Sequence, residues 1–194
     1  MHERSTIMWR RLDMPGAEVA ELTCSSTLRA LAGVVVVAHD GRPCALEYHI
    51  VCDAAWQTET VSIRGHLGGT AAALEIARSS NDSWRVNGTP APTLQGCVDV
   101  DLGFSPATNL LPIRRLNLSV GERAAVRAAW VRFPELTLEI LEQTYARVAE
   151  ESYMYESAGG TFRRELIVNP VGFVVDYPDY WRAEAMTIDP AHVA

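Results

Sequence analysis

The chain has 194 residues, 48% of them hydrophobic, enough to bury about 70% of the unfolded surface, so folding needs neither disulfides nor a metal. A formal net charge of −7 argues against nucleic acid and anionic membrane surfaces as partners, since both attract basic patches. All seventeen cationic residues are arginine; chemistry that requires a lysine amine, a Schiff base or a P-loop, is excluded.

Cys24, Cys44, Cys52 and Cys97 stand at unrelated spacings, with no C-x-x-C pair and no histidine pattern beside them. They predict buried thiols and no metal or other cofactor. The opening M-H-E-R-S-T-I-M-W-R-R-L has no apolar run of signal-peptide length, and no segment approaches the ~18 apolar residues of a membrane span. The expectation is a cytoplasmic, single-domain protein over residues 1–194, with reduced thiols.

In chain order, residues 6–13 and 17–24 read as two short strands around Met14-Pro15-Gly16, because Pro-Gly is a turn dipeptide. Residues 28–38 are almost uniformly apolar with four consecutive valines, which predicts a strand buried on both faces. Asp40-Gly41 closes a hairpin onto a strand over 43–53. Residues 56–67 alternate as a half-buried strand, Gly68-Gly69 turns, and strands over 71–79 and 83–86 pair across Asn81-Asp82. Asn87-Gly88 then reverses the chain, and Pro90 and Pro92 hold it extended and outside any central ladder.

Cys97 to Leu102 alternates with period two, so Val98, Val100 and Leu102 share one face while Cys97, Asp99 and Asp101 share the other. Gly103 breaks the strand. Ser105-Pro106 has the form of a helix start, serine at the cap and proline at the first helical position, and the helix is expected to end by Pro112, ahead of Arg114 and Arg115. Residues 122–133 form a further strand stopped by Pro134. Between 136 and 148 periodicity slightly prefers a helix, while the all-strand context favours a long strand with a bulge, and the strand is adopted. Ala158-Gly159-Gly160 closes a hairpin, strands follow at 162–168 and 172–175, and Tyr177-Pro178-Asp179 bends the chain before Trp181.

From Trp84 to Leu116 the chain reads W-R-V-N-G-T-P-A-P-T-L-Q-G-C-V-D-V-D-L-G-F-S-P-A-T-N-L-L-P-I-R-R-L. This block resembles the shared block of the bacterial putative glycolipid-binding proteins, W-x-V-N-G-x-x-x-P-x-L-x-G-C-x-D-x-D-L-x-x-x-P-x-T-N-x-x-P-I-R-R-L, at every fixed position. Trp9 and the V-V-D-Y-P-D-Y-W stretch at 174–181 are similar as well. The resemblance implies an amphipathic small molecule such as a glycolipid as partner, and it implies no catalytic residue.

The fold class expected is all-β, mainly antiparallel: an open or closed barrel with one or two short helices. The run I-V-C-D-A-A-W-Q at 50–57 echoes V-V-D-Y-P-D-Y-W-R at 174–182, which suggests two similar halves sharing an interior. The barrel interior is expected to hold the amphipathic small molecule without transforming it, with ligand contacts from Trp84, Asn87, Asp99, Asp101, Thr108, Asn109, Arg114 and Arg115.

Asp99 and Asp101 could alternatively serve a glycoside hydrolase or lyase, or pair structurally with Arg114 and Arg115. A non-binding structural or interaction protein is the third reading. Ser105 is a poor nucleophile, because the proline after it removes an oxyanion-hole amide. Gly65-His66-Leu67-Gly68-Gly69 is a turn without the dinucleotide-binding spacing. His2, His39, His49, His66 and His192 are scattered, with no i, i+4 pair. The tryptophans Trp9, Trp56, Trp84, Trp130 and Trp181 read mainly as core, with Trp84 the best ligand candidate.

Overall fold

The computed structural model describes residues 3–192; His2 lies outside them. The first arm comprises β1 (Glu3–Arg11), β2 (Gly16–Cys24), β3 (Arg29–His39), β4 (Arg42–Cys52), β5 (Thr58–Leu67), β6 (Thr70–Arg78), β7 (Trp84–Val86) and β8 (Thr89–Pro90). Then come β9 (Asp99–Leu102) and α1 (Leu110–Leu116). The second arm comprises β10 (Arg123–Val131), β11 (Leu138–Ala149), β12 (Ser152–Ser157), β13 (Phe162–Val168), β14 (Val174–Tyr177) and β15 (Trp181–Thr187).

The fifteen strands of the described residues form one sheet ordered β8-β7-β6-β5-β4-β3-β2-β1-β15-β14-β13-β12-β11-β10-β9. Two meanders thus meet back to back where β1 pairs with β15, with Thr6 opposite Thr187 and Arg11 opposite Trp181. Every pairing is antiparallel except β9 on β10, where Asp99 lies opposite Ala128 and Leu102 opposite Val131. The sheet remains open. Its β9 end reaches across to the start of β5, where the Thr58 amide donates to the Val98 carbonyl at 3.2 Å and the Thr58 hydroxyl accepts from the Val100 amide at 3.1 Å.

The turns form where positive φ was expected: Asp40-Gly41 has φ of 49° and 72°, Asn87-Gly88 of 47° and 77°, which these residue types tolerate. Residues 138–149 are a strand, and its pairing with β12 slips by one residue between Arg147 and Ala149, the bulge expected there.

Three expectations are corrected. Strand β3 is buried on one face only: Leu31, Val35 and Val37 point inward while Val34 and Val36 are 44% and 54% exposed. Sheet neighbours satisfy the β3 backbone on both sides, so its outer face needs no cover. Pro92 opens a turn of 3-10 helix over Pro92–Leu94 instead of holding extended chain. The helix does not end by Pro112. It runs from Leu110 to Leu116 with Pro112 as its third residue, a first-turn position where the missing amide costs nothing. Strand β9 is covered on both faces, Asp99 being as fully buried as Val100.

The burial of both faces of β9 has a topological cause. The segment from Cys97 to Ile113 lies inside the curl of the sheet, with Phe104, Ala107 and Leu110 at 0% exposure. Leu94, Cys97, Phe104, Leu110 and Leu111 belong to the larger core, built mainly on the first arm and joined by Val131, Phe173 and Trp181 of the second, while Ile113 packs with Tyr145, Tyr153 and Leu166 in a smaller core of the second arm. The interior expected to hold a ligand is therefore filled by the protein's own central block, and the open space lies at its margins.

Candidate functional site

The Asp99 carboxylate is wholly buried and takes two hydrogen bonds from Arg115, Nε to Oδ1 at 2.9 Å and an Nη to Oδ2 at 2.6 Å. This bidentate pair ties the last turn of α1 to β9. Burial pushes the Asp99 carboxyl up, opposed by Arg115. Of the expected cluster only this pair forms: Arg114 turns away onto the Trp56 ring, 5.3 Å from its centroid. Thr108 Oγ1 accepts from the Leu102 amide at 3.2 Å, and Asn87 Oδ1 accepts from the Glu75 amide at 2.9 Å. Trp84 is 2% exposed and donates its indole N–H to the Cys97 carbonyl at 3.2 Å.

Asp101 faces elsewhere. It lines a cleft of about 360 Å³ between the Gly103–Asn109 segment and the second arm. Gln143 Nε2 donates to Asp101 Oδ2 at 2.6 Å and to the Tyr155 hydroxyl at 3.0 Å. Burial and the nearby Asp99 charge push the Asp101 carboxyl up to about 6, against the Gln143 bond that lowers it. Asn109 lines the same cleft; its Oδ1 accepts from the Tyr145 hydroxyl at 2.8 Å and its Nδ2 donates to the Pro106 carbonyl at 3.0 Å.

Six aromatic rings complete the walls: Trp130, Tyr155, Phe162, Tyr177, Tyr180 and Trp181. Tyr155, Phe162, Tyr177 and Tyr180 brace one another, Phe162 tilted against Tyr180 at 5.7 Å and Tyr177 edge to face with Tyr180 at 5.4 Å between centroids, geometry that fixes rings without closing their faces. Arg11 enters from β1. Its guanidinium is held by Asp13 at 2.7 and 3.1 Å and lies 5.0 Å from the Trp181 ring centroid. Its remaining terminal nitrogen, Nη1, is buried without a hydrogen-bond partner.

Behind this wall Glu18 Oε1 accepts from the Tyr48 hydroxyl and from Ser105 Oγ, each at 2.6 Å, and Oε2 is buried without a partner. Gly33 makes room for the Tyr48 ring, because a β-carbon there would overlap its hydroxyl. Burial raises the Glu18 carboxyl to about 8, only partly offset by the Ser105 and Tyr48 bonds and the Arg11 charge.

Sequence reasoning thus reached two residues of this cleft, Asp101 and Asn109, and missed Arg11 and most of the aromatic wall. One signal was available: Tyr177, Tyr180 and Trp181 crowd a single turn, with Asp179 at φ 71°. No group of histidine, cysteine and carboxylate side chains suited to a metal occurs among the described residues. The four cysteines are free and buried.

The fold and cleft together define an all-β scaffold whose sheet curls around an internal plug and leaves an aromatic-walled cleft at one end. Residues 6–183 match the family described as "Putative glycolipid-binding", and the chain belongs to that family. A crystal structure of a DUF1089 family protein from Pseudomonas aeruginosa is similar, with TM-score 0.74 and 29% identity over 85% of this chain and 91% of that one. Among curated proteins, none matches this chain. No helix of the described residues is long and apolar enough to cross a membrane.

Proposed function

We propose that the aromatic cleft binds the sugar headgroup of an amphipathic molecule without transforming it. The observation that carries this reading is the pairing of a six-ring wall with the partnerless Arg11 Nη1 and the Asp101 carboxylate. Ring faces suit the C–H faces of a pyranose. The N–H group and the carboxylate suit its hydroxyls, which accept and donate in turn. An unmade buried hydrogen bond is costly, so a hydroxyl that completes it gains about 1 kcal/mol or more. The cleft volume of about 360 Å³ lies near the small end of the roughly 300–1,000 Å³ range of small-molecule pockets. It suits a headgroup without its whole alkyl chain.

The family description supports this ligand class. Of the eight residues expected to bind, the proposal assigns ligand contact to Asp101 and Asn109. It gives structural roles away from the ligand to Trp84, Asn87, Asp99, Thr108 and Arg115, and places Arg114 elsewhere. Binding is favoured over hydrolysis because two-carboxylate glycoside chemistry needs both carboxyls facing one bond, and both Asp99 oxygens are engaged by Arg115.

Calorimetry with alkyl glycosides of increasing chain length tests the reading. A fully buried tail would add about 0.8 kcal/mol per methylene, close to tenfold for every two carbons. Binding dominated by the headgroup instead levels off after the first few carbons, and Tyr180→Ala weakens it. Equal affinity for an alkyl chain with a non-sugar head, or indifference to Tyr180→Ala, overturns the proposal; so does release of free sugar from the glycoside.

A further inference from the structure

Among the described residues, eleven of the seventeen arginines are ion-paired with a carboxylate, as expected where acids outnumber bases by seven. Of the six that are not, Arg42, Arg85 and Arg123 are exposed and need no partner. The other three, Arg29, Arg114 and Arg147, are half-buried, and all three converge on one place. Arg29 and Arg114 lie over the Trp56 ring at 5.6 and 5.3 Å, and Arg147 lies over Tyr153 at 5.7 Å. Trp56, Arg114, Arg147 and Tyr153 line a cleft of about 540 Å³ at the opposite end of β12 from the aromatic cleft.

The guanidiniums here are positioned by the fold. Arg147 donates to the Leu118 carbonyl at 2.8 Å and twice to the Glu150 carbonyl, at 2.6 and 3.2 Å, which orients it without neutralising it and leaves two of its five N–H groups free. The Arg114 stem runs over a turn in which Asn169 Oδ1 accepts the amides of Val171, Gly172 and Phe173. A β-carbon on Gly172 would stand 3.3 Å from Arg114 Cδ. Among the described residues no carboxylate and no hydrogen-bond acceptor meets the Arg114 guanidinium, and no hydrogen-bond partner meets the Tyr153 hydroxyl. Glu150 and Glu151 also line this cleft, but both are exposed, where water and salt screen their charge.

We propose that this cleft is a second binding site, for a phosphate-type oxyanion held by the Arg114 guanidinium with Arg147 and the Tyr153 hydroxyl. Half-buried guanidiniums without an anion are costly, and a planar fork stacked on an indole presents its N–H edges in the geometry that phosphate oxygens accept. The chemistry is the same for a free phosphate and for a phosphorylated headgroup. The site is independent of the sugar reading, which is tested with uncharged ligands at the other cleft.

Titration calorimetry on the full chain, with inorganic phosphate in one arm and octyl phosphate below its micelle concentration in the other, tests the proposal. Saturable binding is expected, weakened at least about tenfold by Arg114→Gln and unchanged by Arg123→Gln, which removes an exposed charge. Tighter binding of octyl phosphate assigns the site to a lipid headgroup, and equal binding assigns it to the free anion. If Arg114→Gln does not fold, Tyr153→Phe should weaken binding a few-fold, and phosphate should protect Arg114 of the wild-type chain from phenylglyoxal. The proposal is overturned if neither probe saturates, if Arg114→Gln binds like wild type, or if Tyr153→Phe binds normally while Arg114 stays unprotected.

Discussion

Glu18 offers the sharpest test of how the interior is built. A carboxyl ionising near 4.5 in the unfolded chain and near 8 in the native one is held as the acid at neutral pH, so the folded state binds a proton that the unfolded state has released. Because the native value is the raised one, its stabilising contribution is fully present below pH 4.5 and is lost as pH climbs to 8. At about 1.4 kcal/mol per pH unit the loss reaches roughly 3 kcal/mol by pH 7. Between pH 6.5 and 8 it continues by about 1.5 kcal/mol, which for a chain of this size lowers the melting temperature by roughly 3–6 °C. That window lies above the Asp101 transition near 6, so the slope there belongs mainly to Glu18.

Glu18→Gln keeps the shape and the acceptor for Tyr48 and Ser105 but cannot ionise. Thermal melts of both proteins across pH 6.5–8 should show the wild type losing stability and the variant flat. At pH 7 the variant gains less than the full 3 kcal/mol, since leaving an amide N–H unpaired costs about 1–3 kcal/mol. Parallel pH slopes for the two proteins would refute the assignment of a neutral buried acid.

Other outcomes follow from the same geometry. Asp99→Asn leaves Arg115 without its counter-charge and should cost about 3–5 kcal/mol, seen as a lowered urea midpoint; a variant that unfolds like wild type would remove the structural role of the pair. Trp84→Ala should cost about 3–5 kcal/mol by the cavity it leaves while sparing glycoside binding in the refolded fraction, so unchanged stability with lost binding would return Trp84 to the ligand. Cys97, with no exposed surface and its thiol pushed up by burial, should resist a water-soluble thiol reagent in the native protein; rapid labelling located on its peptide would contradict its burial.

Local sequence determined the strands. Alternation, Asp-Gly and Asn-Gly turns and the Gly-Gly breaks are encoded within a few residues, so the hairpins of the first arm were legible without tertiary information, whereas β11, whose own periodicity slightly prefers a helix, was legible only from its all-strand surroundings. The central block was legible as special, since Gly, Pro, Asn and paired charges fix its backbone in succession. Its location was not. Period-two patterning says which side chains share a face but not what covers the other face, and only the curl of the whole sheet puts Asp99, Val100 and Phe104 inside together. For the same reason, adjacent arginines could not be told apart: Arg115 reaches Asp99 while Arg114, one step of about 100° round the helix, meets Trp56 from a different hairpin. The aromatic cleft is the extreme case, joining Arg11 to Trp181 through a β1–β15 pairing some 170 residues apart in the chain. Such pairings are set by which edges meet when the two arms close their common core, information that no local stretch of sequence carries.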